Sequence, residues 1–358
     1  MSVKSPLLRK AGQVAKYLIS AGLGIGLLWY LFQKVDTDGF IDRVADLNYS
    51  WIVLSIVLSL LSHWARAYRW NLMLEPQGFR LKSYRSFLAV MSGYLGNLAV
   101  PRMGELFRCM VLKRTDDVPV TNSFGAVVAE RVLDLLILIA IIGSVLLLEQ
   151  DKIQTFITGY ISENVSGVIS SIPGYLPGVV AFSSALLVLA FFLFRRKIRK
   201  TSLYIKVRSL LSGVIEGFVS IRKVKKPLHF WGSTFIIWLM YYLMSYVIVF
   251  TMPETSSLPA IAGLSILMMG GLGMAAPVQG GFGTYHLMVS AILVIYGIGK
   301  SDGLFFATVL HTSQTVAVIL FGGISALTAL FVKRRSAQTP HNDEDIHLRE
   351  NLQPQPSS

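Results

Sequence analysis

Six apolar stretches, each near the length that crosses a bilayer, constrain this chain more than any other feature. They lie at 17–32, 51–67, 124–148, 176–194, 230–250 and 304–332. A helix needs about 20 mostly apolar residues to traverse the hydrocarbon core. A water-soluble fold of 358 residues would have to bury all six. With 53% of the residues hydrophobic and only 15% charged, too little polar surface remains to cover them. The pattern specifies an all-α, polytopic membrane protein. The single cysteine, Cys109, cannot form an intrachain bridge, so a disulfide scaffold is excluded, and the apolar content excludes a disordered chain.

Charge placement sets the orientation. A net charge of +13 would point to nucleic acid in a soluble protein, but here the basic residues are segregated in alternate loops. Arg9, Lys10 and Lys16 precede the first stretch, and Asp36, Asp38, Asp42 and Asp46 follow it. Arg66, Arg69, Arg80, Lys82 and Arg85 follow the second, and the acidic Glu149, Asp151 and Glu163 follow the third. Arg195, Arg196, Lys197, Arg199 and Lys200 come after the fourth, and Lys333, Arg334 and Arg335 after the last. The positive-inside rule then predicts a multi-pass protein of the cytoplasmic (inner) membrane with both termini cytoplasmic. It leaves no general nucleic-acid surface. No small-x-small cleavage site follows Phe32, so the first stretch reads as a retained signal anchor.

Two further apolar stretches, 87–112 and 259–298, are interrupted by glycine and proline. The sign rule makes each enter and leave on one side, the first from the cytoplasm and the second from outside. Both are expected to be re-entrant hairpins, broken at 100–104 and 276–283. Gly96-Asn97-Leu98-Ala99-Val100-Pro101-Arg102-Met103-Gly104 can be laid beside Gly273-Met274-Ala275-Ala276-Pro277-Val278-Gln279-Gly280-Gly281. The stretch from Ala126 to Arg131 likewise aligns with that from Ala307 to Thr312. Each half reads span, span, hairpin, span, and the halves begin on opposite sides. The expected architecture is six full spans plus two re-entrant hairpins arranged as inverted-topology repeats, about 17–148 and 176–332. Such repeats with broken helices are a recurring plan of transporters.

Irregular backbone at membrane depth survives only where protein buries it or a cavity wets it. The breaks at Pro101, Gly104, Pro277, Gly280, Gly281 and Gly283 therefore mark the expected substrate region. Arg102, Glu105 and Arg108 follow the first break at spacings of three and share a face. A guanidinium there suits a phosphate by paired hydrogen bonds, with Glu105 fixing it. The alternative is that these arginines snorkel to the interface. Glu130, Arg131 and Asp134 lie inside the third span, where charge is expensive. They serve either as substrate contacts or as an ion-pair network with Arg102 or Arg108. His311 aligns with Glu130 and joins the candidate binding residues, while His286 reads as a packing residue. Arg66 and Arg69, with Trp64, Tyr68 and Trp70, read as interfacial anchors.

No catalytic set, metal cluster or cofactor motif stands out. Gly22-Leu23-Gly24-Ile25-Gly26 sits inside a span, where no phosphate-cradling strand–turn–helix exists, and no Walker lysine follows a glycine loop. Asp116-Asp117 superficially suggests a glycosyltransferase metal pair but reads as solvated loop. Residues 201–226 are basic and amphipathic, as expected of a helix on the cytoplasmic membrane surface. Residues 336–358 are polar and rich in Pro and Gln, as in a disordered tail, which leaves 1–335 as one membrane domain.

The run from Asn97 to Arg108 (NLAVPRMGELFR), followed by Val128-Ala129-Glu130-Arg131-Val132-Leu133-Asp134, resembles the signature of the lysylphosphatidylglycerol synthase transmembrane-region, or flippase-like, family. Arg66-Ala67-Tyr68-Arg69-Trp70 and Pro277…Gly280-Gly281-Phe282-Gly283 are similar to that family's later patterns. The resemblance extends to about Val332. It implies a lipid flippase or lipid-transport role without the soluble aminoacyl-lipid synthase domain of the larger relatives. Thr284-Tyr285-His286 departs from the glutamate typical after Phe-Gly, and His311-Thr312 from the usual Tyr-Arg.

The expected function is transbilayer movement of an anionic or phosphate-bearing lipid, such as a phosphatidylglycerol derivative, a polyprenyl phosphate or a related glycolipid. Two rivals stand beside it: a membrane-embedded glycosyl- or aminoacyl-transferase-like enzyme, and a non-transporting accessory of cell-envelope synthesis enzymes. The topology is directly testable with single cysteines. Ser256→Cys is expected to react with an impermeant maleimide from outside and Thr121→Cys only after permeabilisation. Outside labelling at Thr121 would make the first hairpin a full crossing.

Overall fold

A computed structural model describes residues 22–33, 39–100, 103–152, 154, 224–276 and 278–334. Every regular element among them is helical. They are Gly22–Gln33 (α1), Phe40–Ala45 (α2), Tyr49–Leu74 (α3), Ser83–Ala99 (α4), Gly104–Asp116 (α5) and Val120–Leu148 (α6). Pro227–Tyr246 (α7), Ala260–Ala275 (α8), Thr284–Ile295 (α9) and Lys300–Phe331 (α10) follow. Short 3-10 turns extend α3 over Glu75–Gln77 and α7 over Val247–Thr251, and another lies at Gln279–Gly281.

Four helices are long and apolar enough to cross a membrane: Tyr49–Gln77, Val120–Leu148, Pro227–Thr251 and Lys300–Phe331. At 1.5 Å per residue the 26 residues of α3 span about 39 Å, more than the ~30 Å hydrocarbon core. These four coincide with the stretches expected at 51–67, 124–148, 230–250 and 304–332. Of the other two, 17–32 is described only from Gly22, and 176–194 lies outside the described residues. Pro101, Arg102, Pro277, the basic segment up to residue 223 and the tail also lie outside them.

The two interrupted stretches are helix pairs folded back on themselves at the expected positions. In α4–α5 a Cβ added at Gly93 would sit 2.7 Å from the Gly104 carbonyl oxygen, and one at Gly96 would meet the Phe107 ring. In α8–α9 a Cβ at Gly270 or Gly273 would meet Tyr285, at 2.8 and 2.7 Å. Gly96 and Gly273 are the residues that the repeat alignment pairs, and each has a second glycine three residues before it. The same spacing lets two backbones approach in both hairpins, as small residues do in membrane helix packing.

The described residues fall into two compact units. The first holds those within Met1–Leu58, Val128–Ser220 and Tyr241–Thr315. Its apolar core includes Ile248, Ile266, Leu293, Phe306 and Leu310. Arg43 binds Asp302 at 3.0 Å and Glu254 at 3.4 Å and lies over the Phe305 ring. Deeper in this unit Gln314 donates to the Ser55 hydroxyl at 2.9 Å, which donates in turn to the Met244 carbonyl at 2.7 Å.

The second unit holds the described residues within Ser59–Val127, Ile221–Met240 and Val316–Ser358. Here α4 packs on α10 where Gly322 leaves room, since a Cβ there would lie 2.9 Å from the Met91 oxygen. The end of α10 is held by side chains from the first hairpin. Arg114 donates to the carbonyls of Ala329 and Leu330, which have no partner within the helix. Arg334 pairs with Asp117 at 2.7 Å, and that hydrogen bond holds the exposed carboxyl below the usual carboxylate range.

The Asp116 side chain corrects the reading of a solvated pair. It is 3% exposed and accepts from Arg85 at 3.2 Å and from the Thr115 hydroxyl at 2.8 Å. Its oxygens are occupied in closing the hairpin rather than in holding a metal.

The close approach of α4 and α5 predicts opposite signs for two Gly→Ala changes. Gly93→Ala forces backbone apart and is expected to lower stability by about 1–3 kcal/mol. Gly143→Ala, with nothing within 4 Å of the new methyl group, is expected to raise it by about 0.5–1 kcal/mol through helix propensity. Thermal unfolding of the two variants in detergent reads the difference.

Candidate functional site

In the second unit the first break carries its own cap. The Asn97 side-chain oxygen accepts the Gly104 N–H at 2.7 Å, which satisfies one of the orphan donors at the start of α5. Any side chain at Gly104 would collide with that cap and with Gly93. Asn97 is a structural cap that its polar character and its place seven residues before the helix start could have signalled.

Past the cap, α5 places Glu105 half-buried and Arg108 buried at 3% exposure. The Arg108 guanidinium lies 4.7 Å from the centroid of the Trp70 ring on α3. A desolvated cation–π contact of this kind contributes about 2 kcal/mol. Arg108 therefore does not snorkel. Trp70 is itself fully buried, so it is no part of an interfacial belt, whereas Trp64 is exposed and fits one.

Arg66 and Arg69 overturn the anchor reading more sharply. They are 2% and 0% exposed, and Arg69 donates to the Thr234 hydroxyl of α7 at 3.4 Å. Arg66 and Trp70 are four residues apart and share a face of α3. Next to them His63 is buried against Tyr94 of α4, ring centroids 4.3 Å apart. The second unit thus encloses three guanidiniums, from α3 and α5, beside the first hairpin. Arginine favours such a place because its charge is delocalised and its donors form a planar fork. The enclosure follows from α3 continuing to Leu74, seven residues beyond the expected end of the span. Hydropathy alone stops the span short of the charges.

In the first unit, Glu130 is fully buried on α6, and Asp134 one turn later is half-buried. Arg131 between them is exposed. Glu130 belongs to the first unit and Arg108 to the second.

The second hairpin break is also in the first unit. Gly280, Gly281 and Gly283 all have positive φ, at 58°, 72° and 79°, conformations that glycine adopts without a Cβ penalty. The break packs under α1, where a Cβ at Gly283 would lie 2.8 Å from the Gly24 oxygen and one at Gly24 would lie 2.7 Å from Val278. Gly24 of α1 thus has a packing role, while Gly22 and Gly26 face open space. His311 of α10 reaches the break, with its Nε2 2.9 Å from the Gly280 carbonyl oxygen. Tyr285, His286 and Phe282 surround it at ring-centroid distances of 4.9, 4.9 and 5.1 Å. Among the described residues no group of three His, Cys, Asp or Glu side chains could hold a metal ion.

Residues 13–322 match the family pattern described as the lysylphosphatidylglycerol synthase TM region. The chain belongs to this family. It is 24% identical over 361 residues to a protein of Haloferax volcanii named glycosyltransferase AglD, an alignment covering 94% of this chain and 57% of that one. It is 29% identical over 103 residues to the UPF0104 membrane protein MJ1595 of Methanocaldococcus jannaschii, covering 28% of this chain and 31% of the relative. The chain thus spans little more than half the length of the first relative and a third of the second. No solved structure matches it. The matched family region contains both hairpins, the three buried arginines, Glu130 and His311.

Burial of Arg69 predicts a large effect where an interfacial anchor predicts none. Arg69→Ala loses a charge-assisted hydrogen bond and its packing, and is expected to cost about 2 kcal/mol or more. The exposed Arg80→Ala is expected to change stability by less than about 0.5 kcal/mol. Unfolding in detergent compares them.

Proposed function

We propose that this membrane protein moves an anionic, phosphate-bearing lipid between leaflets, using six spans and two re-entrant hairpins related as inverted repeats. The observation that carries the reading is the enclosure of Arg66, Arg69 and Arg108 in one unit beside a helix break. Burying a charge costs several kcal/mol per ion even after relaxation. Gathered beside one helix break, the three present a dense set of planar donors in one place. A lipid phosphate offers the planar, acceptor-only partner that guanidinium forks fit. The common glycine packing of the two hairpins supports the repeat, and repeats of this kind place substrate near the bilayer midplane.

In this reading Arg66, Arg69, Arg102 and Arg108 receive the phosphate, and Glu105 orients a guanidinium. Glu130 and Asp134 are acidic counterweights on α6. His311 and the glycines at 280, 281 and 283 form the second polar centre. Headgroups cross at the breaks while acyl chains remain in hydrocarbon.

The relative named as a glycosyltransferase favours a second reading, that the chain belongs to a lipid-modifying enzyme. One assay separates the two. Purified protein is reconstituted into vesicles with fluorescent phosphatidylglycerol, and the leaflet distribution is followed by external quenching. Transport predicts movement of unaltered lipid, faster than in protein-free vesicles. Arg108→Ala is expected to slow it roughly ten- to a hundredfold, the value of one charge-assisted bond. A chemically altered lipid, formed with a nucleotide sugar present, would favour the enzyme, and full activity of Arg108→Ala would exclude this anion site.

A further inference from the structure

His286 and His311 present an unusual chemical demand. Both rings are enclosed, at 2% and 6% exposure, and they meet edge to face with centroids 4.9 Å apart. The Nε2 of His311 lies 2.9 Å from the Gly280 carbonyl oxygen. A carbonyl only accepts, so Nε2 carries the proton, and in the neutral ring Nδ1 then bears a lone pair. That Nδ1 is buried without a hydrogen-bond partner, and so is the Nδ1 of His286. Tyr285 and Phe282 supply aromatic walls, and among the described residues no carboxylate pairs with either ring, so a second proton there would be an uncompensated charge in hydrocarbon.

An orphaned buried acceptor has given up its hydration with no hydrogen bond in return. An ionised phosphate, which only accepts, cannot relieve it; a hydroxyl or an ammonium can. We propose that His286 and His311 form a hydrogen-bond-acceptor subsite for a lipid headgroup bearing a hydroxyl or ammonium donor. The inference rests on the lipid-transport reading and deepens it by naming the headgroup chemistry that the second hairpin break can select. The Gly280 carbonyl that sets the His311 tautomer belongs to the glycine break itself.

The test compares phosphatidylglycerol with phosphatidylpropanol for binding to the purified full-length protein, each in phosphatidylcholine vesicles. The two share phosphodiester, charge and headgroup carbon count, and differ by two hydroxyls. Wild type is expected to prefer phosphatidylglycerol by about tenfold, the value of one or two hydrogen bonds. His311→Phe is expected to abolish the preference. His311→Gln, whose amide can both donate to Gly280 and accept, is expected to keep it. His286→Phe removes one acceptor without touching the Gly280 bond, and is expected to reduce the preference even if His311→Phe fails to fold. A parallel arm with phosphatidylethanolamine assigns the donor: stronger binding than phosphatidylglycerol makes it the ammonium, weaker binding the hydroxyl. Equal binding of phosphatidylglycerol and phosphatidylpropanol by wild type, or a preference that survives both phenylalanine variants, overturns the subsite and leaves the transport reading standing. Binding of no lipid overturns both.

Discussion

In hydrocarbon, every buried donor, acceptor and charge needs a partner inside the protein or on a ligand, and the organisation of this chain follows from that requirement. Helices answer it for their own backbones, which is why all the described regular structure is helical. Where helices break, other groups must answer. Asn97 caps α5 across the first break, and His311 donates to the Gly280 carbonyl at the second. Arg114 holds the last carbonyls of α10.

The described residues carry two polar centres of opposite character. The second unit contains enclosed guanidiniums, which are donors only, and the first contains imidazole nitrogens that await a donor. An anionic phosphate suits the guanidiniums, and a hydroxylated or aminated headgroup suits the imidazole centre. Family membership is consistent with a lipid as the common theme, while the glycosyltransferase name of the Haloferax volcanii relative belongs to a protein of which this chain covers 57%.

Much of the fold was legible because hydrocarbon thickness imposes a length on helices. The stretch expected at 124–148 is the body of α6 to its last residue, and the breaks fall where glycine and proline interrupt an apolar run. The burial of Glu130 and His311 was legible too, since polar groups are rare in such surroundings. Less legible was which charges near a span's end are enclosed. Arg66 and Arg69 have the spacing of interfacial anchors, and only the continuation of α3 with tertiary packing against α5 and α7 buries them. Asp116 misled in the same way, because its partner Arg85 is 31 residues away in sequence. The orphaned imidazole nitrogens depend on ring orientation, which has no one-dimensional signature.

The central claim is that the enclosed guanidiniums are there for a lipid phosphate. An experimental structure in nanodiscs rich in phosphatidylglycerol tests it most directly. The proposed function predicts headgroup density with phosphate oxygens within hydrogen-bonding distance, about 2.7–2.9 Å, of Arg66, Arg69 or Arg108. Guanidiniums closed entirely by protein carboxylates, with only acyl-chain density around them, would contradict it.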